Sequence, residues 1–270
     1  MLQILICTHN EGIREVPNIL LPEAEGIGYV VSMQYSDARY LNAVPAELRY
    51  RKDVVLSVIA GQGLSANRNN AIACATAEVC VVADDDVRYE LADLQRIVAA
   101  HAAHPEAGVI LFQAKGPQGE SLKNYPQESF NYPDIPKGYY PSSIEITFKR
   151  VCVKDIPFDL RFGIGSKGVA CGEEEVWLHT LYRKAGQFIL YLPFPVVRTL
   201  ESPQGGANFA MCPEIQRAKG ATLYYLYGMS AWLRCFKASL FTACSVKNAH
   251  FFTLLRNTAR GILYIMRTGR

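Results

Sequence analysis

The stretch Val79 to Tyr89, VCVVADDDVRY, constrains the chain most. Four apolar residues and an alanine run straight into Asp84, Asp85 and Asp86. A continuous apolar run this short reads as a strand buried on both faces of a sheet. Three adjacent carboxylates repel one another. They belong either on a solvated turn or around a divalent cation that neutralises them. Ligands of open α/β sheets collect beyond the carboxyl ends of the strands. Oxygen-only donors favour a hard ion, magnesium or manganese, that also bridges to substrate phosphates. From this stretch alone, an acidic turn capping the next helix is an equal alternative.

Other segments read as parts of the same sheet. Leu2 to Cys7 (LQILIC) is a first strand, followed by Thr8-His9-Asn10-Glu11-Gly12, either a nucleotide-facing loop or an ordinary strand-to-helix turn capped by Asn10. Tyr29 to Gln34 is a second strand and Asp53 to Ile59 a third. Residues 61–70 (GQGLSANRNN) then open a helix through about Ala77, with Ser65 or Asn67 as its cap. Exposed N–H groups and Arg68 at that helix end suit an anionic phosphate, unless Arg68 is a surface charge. Glu90 to His104 carries Leu91, Leu94, Ile97 and Val98 at helical spacing, with His101 and His104 read as a solvated helix end rather than a metal pair. Gly108 to Gln113 is a further buried strand.

Gly116 to Pro141 changes character, with five prolines and five aromatics. A loop this long is a lid or binding loop. Its rings, Tyr139 and Tyr140 among them, suit either stacking on a sugar face or local packing. Ser142 to Phe148 alternates like a half-buried strand and carries Ser143 and Glu145 beside that lid. Gly172 leads into Glu173, Glu174 and Glu175. Acids there favour helix initiation, or they supply a general base whose pKa a cleft would raise. Phe188 to Leu192 is a last strand before Pro193-Phe194-Pro195.

Charge divides the chain. Residues 1–214 carry 19 basic and 25 acidic side chains, whereas residues 215–270 carry nine basic residues and no acidic one. Ser202 to Ala207 (SPQGGA) marks the boundary, giving a first domain over 1–205 and a basic amphipathic helical region over 206–270. Basic helices with aromatics on the apolar side suit an anionic membrane surface. A helical cap packed on the first domain with its charges outward is the alternative. No recognised nucleic-acid motif accompanies the charge, so nucleic acid is not an expected partner. The eight cysteines form no C-x-x-C pair and read as reduced core thiols of a cytosolic protein. With a strand at the outset, no signal peptide is expected, and the uncharged stretch Gly220 to Leu233 is too short to span a bilayer.

The order ILICTHNE, GLSANRNNAI, VVADDDV and FDLRFGIG…GEEEVWL resembles glycosyltransferase family 2, the inverting enzymes of the GT-A fold, over about residues 1–200. SSIEI between the lid and GEE is similar to a bacterial branch that builds surface polysaccharides. The resemblance implies an α/β fold of GT-A type. Its mixed, mostly parallel sheet is flanked by helices, with a Rossmann-like nucleotide-binding half and here a C-terminal helical extension. It also implies a nucleotide-diphosphate sugar donor, most readily a UDP-sugar, and Mn2+ or Mg2+.

By position, Thr8, His9, Asn10, Gln34, Arg68, Asp84 and Asp85 would line the donor pocket, Asp85 being the variable middle residue of the D-x-D. Asp86, with Asp84, would hold the metal. Glu174, with Glu173 before it, stands where the family has its catalytic base. Tyr139, Tyr140, Ser143 and Glu145 would form the acceptor side and lid. Three departures stand out: Gln34-Tyr35-Ser36-Asp37 replaces the usual Asp-Asp-Gly-Ser, the base is Glu rather than Asp, and Val197-Arg198-Thr199 lies where many members have a late histidine ligand.

The expected function is a metal-dependent inverting transfer, of hexosyl or N-acetylhexosaminyl class, to a glycan or lipid-linked hydroxyl in bacterial polysaccharide synthesis. The expected location is cytoplasmic, docked peripherally on the inner membrane face if residues 215–270 meet lipid. The alternatives are a nucleotidyltransferase-type phosphate-handling enzyme, or a catalytically degenerate partner in a polysaccharide-assembly complex. Sugar, acceptor and oligomeric state are not encoded legibly.

Overall fold

The computed structural model describes residues 1–132, 134–200 and 209–269. The segment Ser202 to Ala207, read above as a boundary, lies outside the described residues. The chain divides into two compact units, Met1–Phe158 with Thr180–Ser202, and Asp159–His179 with Pro203–Arg270.

The first unit is built on a mixed sheet. Its strands are β1 (Leu2–His9), β2 (Ile27–Tyr35), β3 (Val54–Ala60), β4 (Val79–Asp84), β5 (Val87–Arg88), β6 (Val109–Lys115), β7 (Phe130–Asn131), β8 (Ile146–Lys149) and β9 (Ile189–Thr199). They lie in the order β3-β2-β1-β4-β8-β6-β9-β5, with β7 paired on β9. The block β3-β2-β1-β4 is parallel throughout, as is β6-β9. β8 runs antiparallel to both β4 and β6.

The apolar runs of β1 and β4 are buried on both faces, as covered parallel strands should be. Because Cys7 lies opposite Asp84 and His9 opposite Gln34, the chain leaves β1, β2 and β4 at one edge of the sheet. Thr8 and His9, which extend β1 rather than opening the loop expected from the sequence, therefore emerge together with Asn10, Gln34 and the aspartates.

Helix α1 (Leu64–Cys74) follows β3 and seats a polar face on the sheet. Ser32 donates to Asn67 Oδ1 at 2.5 Å, Asn67 donates to the Thr8 carbonyl at 2.9 Å, and Asn70 donates to Ser32 and Ser57. Asn69 donates to the Phe158 carbonyl and accepts from its N–H. The asparagine-rich run is thus a docking surface rather than a solvated face. The helix is capped by Gly63, with no side-chain cap, so neither Ser65 nor Asn67 plays the capping part; both are buried.

Helix α2 (Leu91–Ala103) presents Leu94, Ile97 and Ala100 to the core. His101 lies on that same face and is buried, not solvated. Thr147 donates its hydroxyl to the Ile110 carbonyl, so its oxygen accepts from His101 Nε2–H at 2.8 Å. Burial, with Lys149 and His104 nearby, pushes the imidazole pKa down to about 4. Two other readings change. Residues 143–145 form a short 3-10 turn, and only Ile146 onward is strand. β9 continues through Pro193 and Pro195, where its register against β6 shifts around Gln113, the kind of irregularity at which a sheet accepts proline.

In the second unit, α3 (Glu173–Arg183) begins; α4 (Pro213–Tyr227), α5 (Ala231–Ser245) and α6 (Phe251–Thr268) follow. Phe162, Val169, Val176, Ala218, Ala221, Tyr225 and Ile265 form its main core. A Cβ at Gly220 would run into the Thr258 backbone, and one at Gly261 into the Arg217 backbone, so α4 and α6 touch main chain to main chain. Arg161 grips Asp159 through Nε and Nη2 and donates from Nη1 to the Gly269 carbonyl at 2.7 Å, closing the end of α6. Among the described residues, no helix is long and apolar enough to cross a membrane.

Candidate active site

The edge where β1, β2 and β4 end gathers the predicted donor residues. Thr8 is buried, and its hydroxyl donates to Asp85 Oδ2 at 2.5 Å. Gly12 passes so close that a Cβ there would strike both Asp85 Oδ2 and Thr8 Oγ1. Asn10 takes a left-handed φ of 53°, a conformation asparagine tolerates. From there it accepts from the Ser36 N–H at 2.9 Å and donates to the Ser36 hydroxyl at 3.0 Å. The β1 and β2 loops are thereby joined, and Gln34 lies buried beside them. His9, at the end of β1, is exposed.

Arg68 is 2 % exposed, so it is no surface charge. Its guanidinium sits 3.4 Å from Asp84 Oδ1 and lies over the Phe158 ring at 5.6 Å. The Ser143 hydroxyl donates to the other Asp84 oxygen at 3.2 Å. Asp86 accepts from the Thr199 hydroxyl at 3.1 Å, while its carbonyl accepts from the Leu200 N–H. β5 and β9 pair at Val87–Thr199, which brings Thr199 to that position. Among these contacts, Arg68 and Ser143 meet Asp84, Thr8 meets Asp85, and Thr199 meets Asp86. Burial pushes the neighbouring Cys7 thiol up to about 12; Arg68 opposes this, while Asp84 and Asp85 add to it.

Does this set suit a divalent cation? Among the described residues, no group of three or more His, Cys, Asp or Glu side chains is placed to hold one. Asp84, ending β4, and Asp86, in the turn after it, form an oxygen-only pair. That donor set fits magnesium or manganese bound through one or two carboxylates, with substrate phosphates supplying the rest of the shell.

The lid residues divide. Glu145 is fully buried. Its carboxylate accepts from Tyr125 at 2.7 Å, from the Ser142 N–H at 3.0 Å and from Tyr139 at 3.4 Å, and pairs with Lys123 at 2.8 Å. Tyr139 packs against Tyr125, Phe130 and Tyr191, and desolvation together with Glu145 holds its phenol far above the usual range. Glu145 and Tyr139 therefore organise the lid from inside, whereas Tyr140 is half exposed. Beside them lies a cavity of about 640 Å3, lined in part by Gln127, Phe130, Lys137 and Tyr139. Ser143 reaches the acid cluster through Asp84.

In the second unit, Gly172 has a φ of 96° and precedes the first turn of α3. A Cβ there would meet the Thr222 hydroxyl. Glu173 is buried. Burial raises the Glu175 carboxyl above its ordinary value, Lys219 lowers it, and Glu174 raises it further. Sequence reasoning missed Gly12, Ser36 and Thr199 as site-shaping residues. Each lay in a stretch already singled out: Gly12 at the end of the Thr8–Gly12 run, Ser36 in Gln34-Tyr35-Ser36-Asp37, and Thr199 beside the absent histidine.

Residues 47–161, which include Arg68 and the three aspartates, match the sequence model of glycosyl transferase family 2, which bears out the resemblance. No curated protein matches the chain. Among solved structures, the chain is similar to S. aureus TarS 1-349, with 16% identity and a TM-score of 0.58 over 100% of this chain and 92% of that one. The TarS 1-349 complex with UDP-GlcNAc matches at 17% identity and TM-score 0.59, over 95% and 79% of the two chains. The complex with UDP matches at 16% and 0.57, over 100% and 92%. The likeness shows the fold: a mixed, mostly parallel sheet flanked by helices.

Proposed function

We propose that this chain, matched to glycosyl transferase family 2 over residues 47–161, is an inverting glycosyltransferase that uses a nucleotide-diphosphate sugar, with UDP as the nucleotide. One observation carries the reading: Asp84, Asp85 and Asp86 come at the end of a parallel strand, at the same sheet edge as Thr8, His9 and Asn10, with Arg68 buried against Asp84. The complexes of S. aureus TarS 1-349 with UDP-GlcNAc and with UDP support the choice of nucleotide.

In this reading Thr8, Asn10 and Gln34 line the nucleotide pocket, His9 stands at its rim, and Asp84 and Asp85 orient ribose and sugar. Arg68, 3.4 Å from Asp84 Oδ1, holds that carboxylate in position. Asp86 and Asp84 would hold a magnesium or manganese ion, whose charge, when bound, offsets that of the departing diphosphate. The acceptor hydroxyl oxygen forms the new bond to the anomeric carbon. The bond from that carbon to the diphosphate oxygen breaks, and its electron pair leaves with the nucleotide. Glu174 takes the hydroxyl proton, Glu173 and Glu175 shaping its surroundings, and the anomeric centre inverts.

The acceptor is a glycan or lipid-linked hydroxyl in polysaccharide synthesis, approached past Tyr140. The enzyme works in the cytoplasm, peripherally on the inner membrane face through residues 215–270.

The test is a thermal-shift panel of nucleoside diphosphates with and without manganese. A ligand at about a hundred times its dissociation constant stabilises the fold by roughly 2.7 kcal/mol. UDP raising the midpoint, and more so with manganese, is the expected result. No shift with any nucleotide overturns the reading in favour of a degenerate site.

A further inference from the structure

The helix Ala231–Ser245 (α5) is turned inside out relative to a usual surface helix. The side chains it buries, Ala231, Cys235 and Ser239, are small. Its large apolar residues face solvent: Leu233 is 58 % exposed, Phe241 is 74 % exposed, and Phe236 and Leu240 are nearly half exposed. Leu233, Phe236 and Leu240 recur at i, i+3 and i+7, so they share one face. Phe236 meets Phe251 edge-on at 5.4 Å, and Phe251 meets Phe252 at 5.2 Å. Phe252, in the first turn of α6, is 80 % exposed. The apolar surface therefore continues from one helix onto the next, and such surfaces mark interaction sites.

Cations edge this surface. Arg234 and Lys237 are exposed on the outer side of α5, and Lys247 and Arg256 follow. No acid lies anywhere in residues 215–270. A second copy docking through the same face would set cations against cations, with no acid from this region to pair them.

We propose that the outward face of α5, continued by Phe252, is a docking surface for an anionic lipid bilayer. The inference rests on the peripheral-membrane reading and gives it a defined face. Leu233, Phe236, Leu240, Phe241 and Phe252 enter the headgroup–acyl boundary, while Arg234 and Lys237 meet lipid phosphates. The helices lie in the plane of the interface, since among the described residues none is long and apolar enough to cross it.

The test is co-sedimentation of the full chain with vesicles of equal parts phosphatidylcholine and phosphatidylglycerol, and with pure phosphatidylcholine. Two variants accompany the parent: Phe241→Ser with Phe252→Ser, and Arg234→Gln with Lys237→Gln. All four positions are exposed, and circular dichroism and the nucleotide thermal shift should be unchanged in both variants. The expected result is binding to anionic vesicles only, weakened about tenfold or more by either pair of substitutions. No parent binding to anionic vesicles overturns both this face and the peripheral reading. Parent binding that both variants retain overturns the face alone. A concentration-dependent dimer abolished by the Phe pair shows a second copy to be the occupant and overturns the proposal.

Discussion

Thr8 donates its hydroxyl to Asp85 across the ends of β1 and β4, and Gly12 leaves room for no side chain beside that bond. The middle aspartate, the variable position by resemblance, is thereby pinned by the first loop of the chain. Gly12→Ala should push the pair apart and cost roughly 1–3 kcal/mol, as overpacking does. Thermal unfolding would show a lowered midpoint, and titration with UDP a weakened site. A midpoint and affinity equal to the parent's would mean that the loop yields freely.

The Thr199 hydroxyl donates to Asp86, while the buried Arg68 guanidinium and the Ser143 hydroxyl face Asp84. Asp86→Asn should lower kcat by roughly two to three orders of magnitude, the scale of losing one electrostatic stabiliser. It should also remove the manganese dependence of the UDP thermal shift. Retention of metal-dependent turnover would exclude Asp86 as the metal-binding residue.

Glu174→Gln should reduce transfer by about 10²–10⁴-fold, the contribution of a general base, while UDP-sugar binding persists. Comparing Glu174→Gln with Glu175→Gln identifies the base. If the Glu175 variant alone loses turnover with its fold intact, the roles are exchanged.

Glu175 also has a consequence for stability. Its carboxyl pKa is raised by burial above the ordinary 4.5, so the folded state holds a proton that the unfolded state releases. That contribution is complete below pH 4.5 and is lost as pH rises through the folded value. Denaturant melts of the parent and Glu175→Gln across this range should converge on the acid side, and the variant should gain relative to the parent as pH rises.

His101 acts in the opposite sense. Its pKa falls from 6.5 to about 4, so the unfolded state takes up a proton that the folded state refuses. Its contribution is present above pH 6.5 and is lost as pH falls to about 4, by roughly 3 kcal/mol at most. The Nε2–H bond to Thr147 leaves Nδ1 buried without a hydrogen-bond partner, which is why a second proton is disfavoured. His101→Asn should flatten the acid limb of the stability profile; an unchanged limb would assign acid sensitivity elsewhere.

The sheet edge was legible because buried parallel strands announce themselves. LQILIC and VCVVA are uninterrupted apolar runs, and polar residues at their carboxyl ends have one place to go. Arg68 was harder to read: an arginine in an asparagine-rich helix start looks solvated until Asn67, Asn69 and Asn70 are seen to be spent on the sheet and on Phe158. His101 stands at the core-facing spacing of Leu94 and Ile97, a signal masked by His104 three residues on. β9 hid behind two prolines that a register shift absorbs. Phe162, Val169 and Val176 join Ala218, Tyr225 and Ile265 in one core. Contacts between residues so distant in sequence leave no local pattern to read.

Gly172 abuts Thr222 on α4, and Gly220 and Gly261 weld α4 to α6. The carboxylates that would receive the acceptor's proton and the helices that would meet lipid therefore belong to one packed body. A bilayer that holds those helices also holds the proton acceptor at a set depth. On the proposed docking, the membrane would act as a ruler for the acceptor, favouring hydroxyls presented at that one height above the lipid.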